Sequence, residues 1–106
     1  MRVRISRQAW NDLLDVKAHT LERYGFAQLE EYESLVEQAL ETIARNPEAG
    51  QQRPELLSGV RSCHIGRRGR HARHLFFYRV GTDGTIEIIR FLHDAMDFVR
   101  HFPSES

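Results

Sequence analysis
What most limits the fold of this chain is a helical hydrophobic period running from Ala9 to Arg45 with one glycine in the middle. In its first part, Trp10, Leu13, Leu14, Leu21 and Tyr24 fall on one face at helical spacing, which predicts a helix over 9–24. Ser6 stands just before it and suits an N-cap, accepting a free backbone N–H. Gly25 suits a left-handed stop after Tyr24. The pattern resumes over 27–45 with Leu29, Tyr32, Val36, Ala39, Leu40 and Ile43, and Glu30, Glu31, Glu33, Glu37 and Glu41 occupy the opposite face. Asn46-Pro47 ends it, since proline disfavours helical geometry in the residue before it. Two helices with so short a link must lie antiparallel, as a hairpin.

Around the hairpin the period changes to two. Val3 and Ile5 alternate with Arg2 and Arg4, predicting a short N-terminal strand. Residues 48–59, bordered or interrupted by Pro47, Gly50, Pro54 and Gly59, read as a surface loop. Three strands are expected over about 60–65, 72–80 and 85–93, the last two joined at an Asp83-Gly84 turn. A short helix should begin near Asp94, with Asp94 and Asp97 placed to cap it. The expected class is α+β, ordered β-α-α-β-β-β: an N-terminal strand and helical hairpin packed on a small antiparallel sheet, with a short C-terminal helix. At 106 residues the chain is expected to be a single domain, 1–106.

In the last two strands both parities are apolar. His74, Phe76, Tyr78 and Val80 oppose Leu75, Phe77 and Arg79; Ile86, Ile88, Arg90 and Leu92 oppose Ile89, Phe91 and His93. Both sheet faces therefore need covers. The hairpin supplies one, and the C-terminal helix is too short for the other. An apolar face edged with arginine is left for a second chain, which points to an amphipathic acidic helix.

The charge distribution agrees. Formal net charge is zero, yet residues 1–50 hold six Lys/Arg against nine Asp/Glu, and residues 51–106 hold nine against six. From Arg61 to Arg79 there are six arginines, three histidines and no acidic residue. A neutral total argues against a DNA-coating protein, and no sequence-specific nucleic-acid binding is expected. One cysteine, Cys63, excludes an intramolecular disulfide, reads as a small buried thiol, and fits a reducing compartment. No stretch approaches transmembrane length and Met1–Ile5 lacks a leader's apolar run, so a cytoplasmic protein without a membrane partner is expected.

The ordered set of pieces resembles the ParE toxins of the RelE/ParE toxin–antitoxin superfamily. The pieces are the N-terminal strand, the Tyr24-Gly25 break, Pro47 and Gly50, Gly59-Val60-Arg61, His74-Leu75-Phe76-Phe77-Tyr78-Arg79-Val80, and Ile88 to Asp97. The resemblance implies a toxin that inhibits DNA gyrase by binding. It also implies neutralisation by a ParD-like antitoxin in a heterotetramer or larger assembly. On this reading Arg61, Arg67, Arg68, Arg70, Arg73, Arg79, Arg90, Phe91, His93 and Met96 form the antitoxin- or target-binding set, with no cofactor and no metal.

The alternative is a ribosome-dependent mRNA endonuclease of the RelE type. Cleaving RNA through its 2′-hydroxyl needs a base, an acid and cations over the developing charge. Arg61, Arg79 and Arg90 would supply charge and His93 the acid or base. Against this, the chain lacks the further lysines, or the His-Tyr pair near the C-terminus, of that branch. Arg61, Arg79 and Arg90 are equally open to pairing within the chain, and His93 to bonding with the final helix. His71 and His74 face opposite ways in a strand, which disfavours a metal site. Trp10 and Phe76-Phe77-Tyr78 are expected core aromatics, Trp10 closing the hairpin over the sheet.

Overall fold
The computed structural model describes residues 2–66, 74–94 and 98–102. In chain order the elements are β1 (Val3–Ile5), α1 (Arg7–Tyr24), α2 (Phe26–Arg45), β2 (Gln51–Gln52), β3 (Arg61–Ile65), β4 (His74–Val80), β5 (Ile86–His93) and a 3₁₀ turn (Phe98–His101). The fold is α+β, with two helices packed on a five-stranded sheet of order β1-β5-β4-β3-β2. It is a mixed sheet: β1 joins parallel to β5, with Val3 opposite Ile86, while the other neighbours are antiparallel. β2 is the element the loop reading of 48–59 omits. It pairs Gln51 with Ser62 and Gln52 with Arg61.

Local chemistry accounts for the helices. The Ser6 hydroxyl accepts from the Ala9 N–H at 3.1 Å and donates to the Ile89 carbonyl at 2.9 Å, so the cap also ties α1 to β5. Gly25 ends α1 and starts α2 with no linker. Its N–H reaches the Leu21 carbonyl and its own carbonyl accepts from the Leu29 N–H. Its φ of 87° and ψ of 179° lie outside the expected left-handed helical region, in a basin open essentially to glycine alone. The extended ψ is what lets a second helix begin at the next residue. Asn46, extended at φ −142°, closes α2.

Two cores result. On the hairpin side, Ala9, Leu13, Val36, Ala39 and Ile43 meet Ile65, Phe76, Tyr78, Ile86, Ile88 and Phe91. On the other side, Leu75, Phe77 and Leu92 are covered by Leu56 and Val60 from the loop before β3 and by Phe102, with Phe98 and Ile89 at the margin. The Phe98 and Phe102 rings stand edge-on to Phe77 at 5.0 and 5.2 Å. The expectation of an open second sheet face is therefore corrected: the chain covers that face itself.

The parity reading of β5 also needs correction. Phe77 pairs with Arg90 but Tyr78 pairs with Ile88, so Ile89 is an extra residue, a β-bulge. The bulge reverses the alternation. Ile86 and Ile88 share the hairpin face with Phe91, whereas Ile89 and Leu92 face the loop-and-tail core.

Just past the bulge, Arg90 donates through Nε and Nη2 to the two Asp12 carboxylate oxygens at 2.7 and 2.9 Å. The Phe91 N–H donates to the same carboxylate at 3.1 Å. Arg90 Nη1 reaches the His101 carbonyl at 3.4 Å. Asp12→Ala would strand a mostly buried guanidinium and a backbone N–H. We expect it to cost about 2–3 kcal/mol of unfolding free energy, read as a lower urea midpoint, allowing for the partial exposure of both side chains.

Candidate functional site
The fixed rotation of α1 decides what it exposes. Ala9 and Leu13 are buried and Val16 and Thr20 half-buried, but the row one residue on is left in solvent. Trp10 is 47% exposed, Leu14 and Leu21 46%, Tyr24 67%, and Phe26 at the start of α2 65%. Trp10 is thus corrected from a core aromatic to a surface one. The positions 10, 14, 17, 21 and 24 are spaced four, three, four, three, the seam spacing of a helix that meets another helix. Lys17 interrupts the stripe and pairs with Glu33 of α2 at 3.0 Å. Acidic side chains frame it: Asp15 and Glu22 on α1, and Glu30, Glu31, Glu33 and Glu37 on α2, are all exposed.

A second feature lies where β4 runs past β3. β4 outruns its pairing with β3 by two residues, and a cavity of about 720 Å³ opens there. Pro47, Pro54, Val60 and Val80 give it apolar walls, and Arg61 and Arg79 supply positive charge. Arg61 Nη1 donates to the carbonyls of Glu48 at 3.1 Å and Gly50 at 2.9 Å, so it braces the loop, and it meets no carboxylate among the described residues. Arg79 is exposed and shows no ion pair among the described residues. Tyr78 closes the floor. Its hydroxyl accepts from the Gly50 N–H at 2.9 Å and donates to the Pro47 carbonyl at 2.7 Å. Burial pushes the phenol's pKa up, partly offset by that Gly50 N–H. The ring leaves no room for a side chain at Gly50, where a Cβ would lie 2.7 and 2.8 Å from the ring carbons Cε1 and Cζ.

A third, smaller cavity of about 160 Å³ gathers Asp12, Asp15, His74, Arg90, His93 and His101. The His74 ring stands edge-on between Tyr32 at 5.8 Å and His93 at 5.2 Å. His93 Nδ1 lies 3.3 Å from an Asp94 carboxylate oxygen. Burial pushes the Tyr32 phenol up to about 12, and its hydroxyl has no partner among the described residues. No three His, Cys, Asp or Glu side chains among the described residues are grouped as a metal site. No helix of the described residues is long and apolar enough to cross a membrane.

The residues singled out in the sequence therefore separate. Arg61 and Arg79 share the large cavity; Arg90 and His93 line the small one. Arg90 takes the within-chain role, and its pairing with Asp12 raises the guanidinium's pKa. Phe91 lies in the core at 3% exposure, turned inward by the bulge, and offers no surface. Arg67, Arg68, Arg70, Arg73 and Met96 fall outside the described residues. Cys63 is half-buried against the hairpin core rather than fully enclosed, and burial pushes its thiol up. The exposed stripe is what sequence reading missed; its seam spacing, one residue out of step with Ala9 and Leu13, was the available signal.

The family model for the ParE toxin of the type II toxin–antitoxin system parDE matches residues 3–98. Toxin ParE1 of Caulobacter vibrioides is 37% identical over 98 residues, covering 92% of this chain and 94% of the relative. Toxin ParE1 of Mycobacterium tuberculosis is 33% identical over 100 residues, covering 94% and 96%. A solved structure described as the chromosomal ParDE TA system from P. aeruginosa shares the fold. Its TM-score is 0.70 at 20% identity, over 88% of this chain and 95% of that one.

Burial lowers the His74 pKa below its ordinary 6.5; His93 adds to the shift, Asp94 opposes it and His19 adds again. A histidine kept neutral by the fold binds a proton more readily once unfolded, so stability falls as pH drops below 6.5 towards the lowered folded value. Between pH 7.5 and 5.5 the wild type should lose more in thermal midpoint than His74→Gln does. Equal losses would contradict this assignment.

Proposed function
Because this chain belongs to the ParE toxin family of type II toxin–antitoxin systems, we propose that it is a toxin acting by binding, with DNA gyrase as its target and a ParD-like antitoxin as its neutraliser. One observation carries the binding reading: an apolar helical seam, 46–67% exposed, that nothing in the described chain covers. A seam of this spacing fits an amphipathic helix lying along α1. Asp15 and Glu22 beside it favour Lys or Arg on that helix's flanks. An acidic helix, the occupant foreseen for the sheet face, would be repelled here. Charge complementarity instead reserves acidic partner residues for Arg61 and Arg79.

The separation of Arg61 and Arg79 from Arg90 and His93 supports binding over RNA cleavage, because a nuclease needs its acid, base and cations around one phosphate. Tyr78 is no substitute, since its hydroxyl is engaged on both sides and its ring is fully buried. The arginines at 67, 68, 70 and 73 are assigned to the target on their charge alone.

Two assays on the purified chain test the reading. Loss of gyrase supercoiling with accumulation of linear plasmid is the expected result; mRNA cut within translating ribosomes, with gyrase unaffected, would overturn it. The double variant Leu14→Glu, Leu21→Glu should keep its thermal midpoint, since both side chains are already half in water, and should still inhibit gyrase. It should lose at least roughly a hundredfold in affinity for the co-expressed antitoxin, measured by calorimetry.

A further inference from the structure
The apolar seam on α1 is interrupted once, at its middle, by the chain's sole lysine. We propose that Lys17 sets the register of the antitoxin helix on this seam. It does so by requiring a neutral hydrogen-bond acceptor, a side-chain amide or hydroxyl, at the one position of that helix that covers it. This rests on the antitoxin reading above and names the chemistry at the centre of that contact.

Lys17 stands seven residues from Trp10 and seven from Tyr24, about 10 Å along the helix axis in each direction. Leu14 and Leu21 lie between. A helix laid over these side chains comes within about 8–10 Å of α1, axis to axis, and the two aromatic ends keep water from the middle. The Lys17 side chain is already only 26% exposed, and its ammonium donates to a Glu33 carboxylate oxygen at 3.0 Å. An ammonium has three N–H donors, and Glu33 is its one partner among the described residues. An apolar residue laid over the other donors would cut them off from water with nothing in its place. One polar position in an apolar seam fixes register, because sliding the partner by a heptad sets an apolar side chain on the ammonium.

The acceptor is neutral for an electrostatic reason. Lys17 and Glu33 already sum to zero charge. Glu30 and Glu37, three and four positions from Glu33, share its face of α2. Asp15 and Glu22 each follow a seam leucine on α1. A partner carboxylate at the centre would upset a balanced pair and be repelled by these margins. An amide oxygen or a hydroxyl accepts without adding charge. A second copy of this chain fits less well, because it would set acidic margin against acidic margin.

The test uses the full chain and the antitoxin encoded beside it. Each seam-facing residue of the antitoxin helix is set in turn to Leu, Asn and Glu, and affinity is measured by calorimetry against wild type, Lys17→Met and Glu33→Gln. At one antitoxin position the wild type should prefer Asn to both Leu and Glu by at least roughly tenfold. Lys17→Met should keep its thermal midpoint, since the Glu33 pair is partly exposed, and should prefer Leu at that same position. Glu33→Gln should accept Glu there as well as Asn. A merely structural lysine would move all three antitoxin variants alike. A wild type that prefers Glu, or no antitoxin position whose preference changes with residue 17, would overturn the proposal. If that failure comes in a tight complex that shields Trp10, the antitoxin reading of the seam survives it. A chain that captures no antitoxin, or captures it with Trp10 still in water, would sink both.

Discussion

The Asp12 carboxylate accepts three hydrogen bonds at once: two from the Arg90 guanidinium and one from the Phe91 backbone N–H. Those donors sit immediately past the β5 bulge, where the strand's alternation has just been reversed. The same guanidinium reaches on to the His101 carbonyl. One residue of α1 is thereby joined to the central strands and to the C-terminal turn that covers their far face. Both side chains are less than a fifth exposed, so losing either partner would leave a desolvated charge behind. This clamp and the Ser6 cap, which grips β5 through the Ile89 carbonyl, set the rotation of α1. With that rotation Ala9 and Leu13 enter the core, and Trp10, Leu14, Leu21 and Tyr24 stay in water.

Two surfaces of opposite character follow. The hairpin carries an apolar seam framed by carboxylates; the end of the sheet carries an apolar-walled cavity with two arginines. The zero net charge of the whole chain conceals this polarity. A single partner reading both surfaces needs basic side chains at one and acidic side chains at the other. Such a demand is selective, because a uniformly charged competitor is rejected at one surface or the other. The histidine-lined recess near Arg90 shares Asp15 with the margin of the seam. It packs against the clamp and contributes to pH-dependent stability.

Helix ends and the hairpin turn are legible locally, although Gly25 takes an extended ψ and not the left-handed helical stop its position suggests; long-range pairings are not legible. Ser6, Gly25 and Asn46 mark helix ends through their own backbone chemistry, and Asp83-Gly84 marks its turn in the same way. β2 was invisible because two glutamines have no period, and only pairing with Arg61 and Ser62 makes them a strand. The bulge could not be foreseen because Ile88 and Ile89 are both apolar and satisfy either parity. Leu13 and Leu14 pose the same ambiguity on α1, where one residue of offset separates a core seam from an exposed one. That choice is made by Asp12 and Arg90, 78 positions apart, and nothing local announces their pairing. The cover of the second sheet face was not legible either: Leu56 and Val60 of the loop, with Phe102 and the marginal Phe98 of the tail, finish the face assigned to a partner.

Trp10 is the sole tryptophan and stands in the exposed seam, so its fluorescence reports directly on whether a partner lies there. On adding the antitoxin to the intact chain, its emission should shift to shorter wavelength and resist acrylamide quenching, as an indole taken out of water does. A tight complex in which Trp10 emission and quenching are both unchanged would place the partner elsewhere and contradict the account.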